Sequence, residues 1–166
     1  QSAQEFYHSR KWTDGLPVVP PTPDVVEACL RRAMMPAEQL VGVEPVRQCA
    51  ITAEKLAVNA VMAGCRPEYF PVVLAAIEGA LIPEFSMHGL LATLWFSGPV
   101  LIVNGPISKR IGMNWGGNVF GQGNRANATI GRALQLIIRN VGGGRPREID
   151  RSVFIGRQLF LLFRRV

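Results

Sequence analysis

From Ala126 to Val141 apolar residues recur at the three- and four-residue spacing of one helix face: Ala126, Ile130, Ala133, Leu134, Ile137 and Val141. Asn124 stands where an N-cap belongs, and Gly142-Gly143-Gly144 where a helix stops. Ahead of this helix lies a glycine-rich stretch with Gly112, Gly116, Gly117, Gly121 and Gly123. Ahead of that, Val100-Leu101-Ile102-Val103 runs between two Gly-Pro pairs, the form of a fully buried strand. A strand that feeds a glycine loop and then a helix predicts an α/β chain, with a small mixed sheet flanked by helices in a single domain.

The same stretch carries the chemistry. Glycines let backbone N–H groups approach a ligand, and the first turn of a helix has unpaired N–H groups and a partial positive charge. Together they suit an anion. Charge points the same way. No Asp or Glu occurs from residue 85 to 147, while Lys109, Arg110, Arg125, Arg132, Arg139, Arg145 and Arg147 do. Residues 1–84 carry seven bases against ten acids; residues 85–166 carry eleven against two. The expected ligand groups are therefore the loop glycines Gly121 and Gly123, with Asn124, Arg125, Asn127 and Thr129, and Asn104 at the end of the strand. Arg125 would pair the anion, and Asn104 and Asn127 would orient it.

Gly121-Gln122-Gly123-Asn124-Arg125-Ala126 also matches the dinucleotide fingerprint G-x-G-x-x-A. That motif needs a strand directly before it and an acid about 20 residues later. Met113-Asn114-Trp115-Gly116-Gly117 is not strand-like, and arginine and glycine dominate from residue 139, so a Rossmann site is disfavoured.

Two side chains could do proton or nucleophile work. His88 lies between two core elements and could titrate near neutrality. Cys65 follows Gly64 and precedes a helix, beside Arg66, a setting that lowers a thiol pKa. The bland alternatives are a hydrogen-bonded loop histidine and a small buried cysteine. No His, Cys or Asp cluster has metal-ligand spacing, and the pattern names no cofactor.

Earlier in the chain, residues 1–22 read as an N-terminal arm and a proline-rich segment, and residues 23–166 as the α/β domain. Pro17, Pro20, Pro21 and Pro23 forbid a regular helix and favour extended backbone. A helix follows to about Met35. Thr52 caps another, whose Ala53, Leu56, Ala57 and Ala60 make a stripe suited to close packing. The next runs from about Glu68 to Leu81, with Pro71 in its first turn. Glu84 to Gly89 reads as loop, Leu90 to Phe96 as β-prone, Ile107 to Ile111 as one helical turn, and Ser152 to Val166 as an edge strand or docking tail. No apolar run approaches the ~20 residues of a membrane span. Cys29, Cys49 and Cys65, with no redox spacing, fit a reduced, cytoplasmic protein. Charged residues make up 18% of the chain, below the usual ~25%, so some apolar surface is expected to be covered by another subunit.

Four phrases carry a resemblance: WTDGLPVVPPT (residues 12–22), AVNAVMAGCRPEYFPVVLAA (57–76), LIVNGP (101–106) and GNRANATIGRAL (123–134). They resemble the bacterial proteins associated with, or fused to, the UGSC-motif selenoprotein family. The resemblance implies thiol- or selenol-dependent chemistry on a small molecule, and a thiol or selenol protein partner. The UGSC motif itself is absent, so no motif residue carries over, and from about residue 152 the chain departs from the family. A shortened member that forms a homodimer in place of the missing part is the corresponding expectation. The leading expectation of function is thus a small-molecule enzyme, or a remnant of one, that binds an anionic group. A non-catalytic oligomeric binding module competes with it, and nucleic-acid binding through the basic half is third.

Overall fold

The computed structural model describes residues 2–94, 98–146 and 148–151, and the backbone of 161–163. Ser2 caps a short helix, α1 (Ala3–Ser9), by accepting from Glu5 N–H. The proline-rich segment then runs extended until Pro23 opens α2 (Pro23–Ala33). Met34 ends α2 in the left-handed conformation, φ 53°, and its side chain is left almost wholly in solvent. Strands β1 (Leu40–Val43) and β2 (Ala50–Thr52) pair antiparallel, with a bulge between Leu40 and Gly42. The chain leaves β2 directly into α3 (Ala53–Ala63), capped by Thr52 Oγ1, which accepts from Lys55 N–H. α4 (Phe70–Leu81) follows, with Pro71 in its first turn. α5 (Met87–Ala92), β3 (Val100–Ile102) and α6 (Pro106–Arg110) are short; α7 (Arg125–Asn140) is the longest element. β4 (Leu161–Phe163) runs parallel to β3.

The chain is α/β, a small amount of sheet flanked by helices, but the two kinds of strand pairing sit in separate two-stranded sheets. The core is helical. α3 and α7 form the most extensive helix pair, and α2 and α4 pack against them. Alanine is the reason they come so close: Ala53, Ala57 and Ala60 of α3 and Ala133 of α7 are fully buried. Leu56, Phe70, Ile130, Leu136 and Ile137 fill the space around them. The arm does not hang free of this core. Val18 is buried in it, and Val19 N–H donates to Met62 O.

Two expectations change. The strand before the glycine loop is not fully buried. Val100 and Ile102 are 50% and 56% exposed, and of the four residues only Val103 is inside. Leu90 to Phe96 does not open as a strand: α5 runs to Ala92, Leu94 is exposed, and residues 95–97 lie outside the described residues. A short apolar run cannot be assigned to helix or strand by periodicity alone. In the tail, residues 161–163 form the strand, while 152–160 and 164–166 lie outside the described residues.

Candidate functional site

Two asparagines shape the glycine-rich loop. Asn124 Oδ1 accepts from Asn127 N–H at 3.0 Å, the N-cap that the sequence predicts, and Asn124 Nδ2 donates to Gly112 O at 2.7 Å. Asn127 is buried. Its Oδ1 accepts from Asn114 N–H at 3.1 Å, and its Nδ2 donates to Asn114 O at 3.0 Å and Val119 O at 3.5 Å. Both asparagines thus tie the loop onto the first turns of α7. Gly112 and Gly123 sit at φ 70° and 110°, where a side chain would be strained, so these two are needed for the path of the backbone. No strand directly precedes Gly121, so the dinucleotide fingerprint lacks its structural context.

The sequence predicts that Arg125 pairs the anion, but two of its nitrogens are engaged within the protein. Its Nε and Nη2 donate to Gly64 O at 3.0 and 2.8 Å. Gly64 is the left-handed C-cap of α3, φ 95°, so Arg125 ties the end of one core helix to the start of another. Thr129 joins the same junction. Its hydroxyl donates to Arg125 O at 2.7 Å, and its carbonyl accepts from Cys65 S–H at 3.3 Å. The structure therefore brings Cys65, Arg125 and Thr129 together, as packing.

Cys65 is corrected by its surroundings. Only 4% of it is exposed, and burial pushes the thiol up to about 12; the Arg125 charge opposes this without overcoming it. A neutral, enclosed thiol is no nucleophile at ordinary pH. Cys29, also buried, is pushed to about 11, again by burial first. With a disulfide reagent such as DTNB, one thiol should react promptly, the half-exposed Cys49, and two only at the rate the fold opens. A second prompt equivalent would contradict this burial.

His88 lies in the first turn of α5 and is half-buried. Its neighbours Met87 and Leu91 line an apolar cavity of about 40 Å³ between α4, α5 and α7. Asn104 follows β3 and is exposed. Neither residue lines the space beneath the glycine-rich loop.

That space is a cleft of about 250 Å³. One wall is the arm, at Asp14 and Leu16. The facing wall is the loop, Val119 to Gln122, with Gly121 among them. The floor is α7, at Asn127, Ala128, Arg132 and Gln135. Of the residues expected to bind a ligand, Gly121 and Asn127 line it; Gly123, Asn124, Arg125 and Thr129 do not.

Arg132 is the cleft's cation. Nε donates to Asp14 Oδ2 at 2.9 Å and Nη2 to Asp14 Oδ1 at 2.8 Å, a bidentate pair. Nη2 also meets Leu16 O at 3.3 Å and Pro17 O at 2.8 Å. The two side chains are 21% and 5% exposed, arginine first. Burial alone would raise the Asp14 carboxyl. The hydrogen bonds and charge of Arg132, with a bond from Leu16 N–H, outweigh it and hold the group below its ordinary value. Asp14 thus stays ionised and cancels one charge of Arg132, while Nη1 takes part in none of these four bonds.

No local signal marks this pair, since its members are 118 residues apart. The charge count held a clue: with no acid from 85 to 147, a partner for an α7 arginine had to come from the first half of the chain or from Glu148 or Asp150. Among the described residues no group of three His, Cys, Asp or Glu could hold a metal ion, and no single helix is long and apolar enough to cross a membrane. No protein-family model, curated protein or solved structure matches the chain.

Proposed function

We propose that this chain binds a small molecule through an anionic group, carboxylate or phosphate, in the cleft between the arm and the glycine-rich loop. One observation carries the reading: Arg132 lies on the floor of a cleft whose only carboxylate is Asp14, already paired to it. The amides of Gln122 and Gln135 add neutral donors and acceptors, and Phe120 and Leu16 supply apolar wall. This keeps the ligand class expected from the sequence and moves the counter-charge from Arg125 to Arg132.

Neither cysteine nor histidine lines the cleft. The reading is therefore of a binding domain, with any chemistry on the bound molecule supplied by a group from elsewhere. A thiol or selenol protein partner, as the resemblance implies, is one such source.

The test is an amide chemical-shift titration of the full chain with inorganic phosphate and with succinate. Shifts should gather at residues 119–122, 127–128, 132 and 135. Gln122→Glu places a negative charge in the exposed wall without touching the core, and should weaken both ligands several-fold with the fold intact. Shifts scattered over the basic surface, or equal affinity in Gln122→Glu, would overturn the reading.

A further inference from the structure

Asp14 is a fixed part of the cleft, because the arm that carries it is fastened on both sides. Asn140 Nδ2 donates to Trp12 O at 2.9 Å on one side. On the other, Gln4 and Val18 exchange two hydrogen bonds, Nε2 to Val18 O at 2.8 Å and Val18 N–H to Oε1 at 3.0 Å. Between these points Leu16 N–H donates to Asp14 Oδ1 at 3.3 Å, and Arg132 Nη2 donates to Leu16 O and Pro17 O. The carboxylate itself holds the Nε and Nη2 edge of the guanidinium and is 5% exposed. A ligand can therefore meet Arg132 through Nη1 with this carboxylate still in place.

Such a ligand approaches an ion pair and not a lone cation. Among the residues that line the cleft, Asp14 and Arg132 alone are charged. Gln122 and Gln135 bring neutral carboxamides. Two first-turn N–H groups of α7 on the same floor, those of Asn127 and Ala128, are already engaged by Asn124, at 3.0 and 3.1 Å.

Two opposing effects then scale differently with the charge of the ligand. Its attraction to the pair is that of a charge to a dipole, and rises in proportion to the charge. The cost of taking it out of water rises with the square of the charge. Beside a lone arginine, a second negative charge on the ligand would gain a full Coulomb attraction. Beside the pair, Asp14 cancels most of that gain, while the desolvation cost still grows about fourfold.

We infer that Asp14 sets the charge class of the ligand: the cleft takes a singly charged oxyanion, a carboxylate or a phosphate diester, in preference to a doubly charged phosphate monoester. The inference rests on the cleft being the binding site. It narrows the ligand class and makes Asp14 a positioning residue for specificity, which acts through Arg132.

The test is an amide chemical-shift titration of the full chain at constant ionic strength with three probes: propionate, dimethyl phosphate and methyl phosphate. At about pH 8 the first two carry one charge and methyl phosphate carries two, since the second pKa of a phosphate monoester is ~6. Propionate and dimethyl phosphate should each bind at least about fivefold more tightly than methyl phosphate. Tighter binding of propionate than of dimethyl phosphate would name the carboxylate as the source, and the reverse order the diester. In Asp14→Asn the preference for single charge should shrink or reverse, because the arginine is then uncompensated. Methyl phosphate binding as tightly as the others, with shifts at residues 119–122, 127–128, 132 and 135, would overturn the charge class and leave the binding site standing. Absence of those shifts with all three probes would overturn both. An unchanged preference in folded Asp14→Asn would remove Asp14 as its cause. Should that variant fail to fold, the ratio in the parent chain decides alone.

Discussion

Arg132→Met should lower the stability of the fold at neutral pH by about 3–5 kcal/mol, the cost of leaving one partner of an enclosed ion pair behind. Asp14 is the partner left, at 5% exposure. The effect has a pH signature. In the parent chain the Asp14 carboxyl is held below its ordinary value. A carboxyl whose folded pKa is lowered stabilises the fold above its unfolded pKa, and that contribution is lost as pH falls through the folded value. The parent should therefore keep its stability from neutral pH to about 4 and lose this part only below. In Arg132→Met the sign reverses. Burial, opposed then only by backbone hydrogen bonds, raises the carboxyl, so the penalty is present at neutral pH and shrinks on acidification as the carboxyl takes up a proton. Urea unfolding at pH 7 and near pH 4 checks this: the gap between the two proteins should narrow at the lower pH. A gap that stays constant, or stays below about 1 kcal/mol at pH 7, would show the pair to be a surface contact of little weight. Replacing both partners by apolar residues, Asp14→Leu with Arg132→Met, should recover part of the loss, since no charge is then stranded.

The sequence made α7 legible because the signals agree at every level. Apolar spacing, an asparagine cap and a glycine stop coincide at one place, and the helix lies between them. Thr52 and Pro71 are legible for the same local reason. β2 and α5 are not. β2 has three residues, and α5 six with Gly89 among them, too few for a period to emerge. The α/β class survives these misses because it rests on the run at residues 100–103 between two Gly-Pro pairs, most of which is β3.

The candidate site was legible in its place and not in its parts. Glycines and the lack of acids mark the loop and the start of α7, and the cleft lies against both. Which arginine serves it cannot be read. Arg125, Arg132 and Arg139 are seven residues apart and so fall on nearly one line along the helix. Gly64 O engages the first, and the arm engages the second. Those partners lie 61 and 118 residues away in sequence. Cys65 failed for a related reason: a nearby arginine lowers a thiol pKa, but burial among residues distant in sequence outweighs it here.

Ile130→Ala should be the other costly substitution, at about 4 kcal/mol, in the upper part of the range for truncating a buried isoleucine. The size follows from its surroundings. Ile130 is fully buried on the inner side of α7, and α3 meets that helix with Ala53, Ala57 and Ala60. Alanines have no atoms that can swing into a void. Nor can α7 close the gap by sliding, since Arg125 ties its start to Gly64 and Arg132 ties its middle to Asp14. A site that cannot collapse keeps its cavity, and the cavity term is then felt in full. For a domain of this length the loss should lower the melting temperature by roughly 10 °C. Ala128→Ser is the control on the same helix: it faces the cleft, is exposed, and should change stability by less than about 0.5 kcal/mol. A cost below about 1 kcal/mol for Ile130→Ala would mean that α3 and α7 can approach further than their ties allow, and the rigid floor assigned to the cleft would go with it.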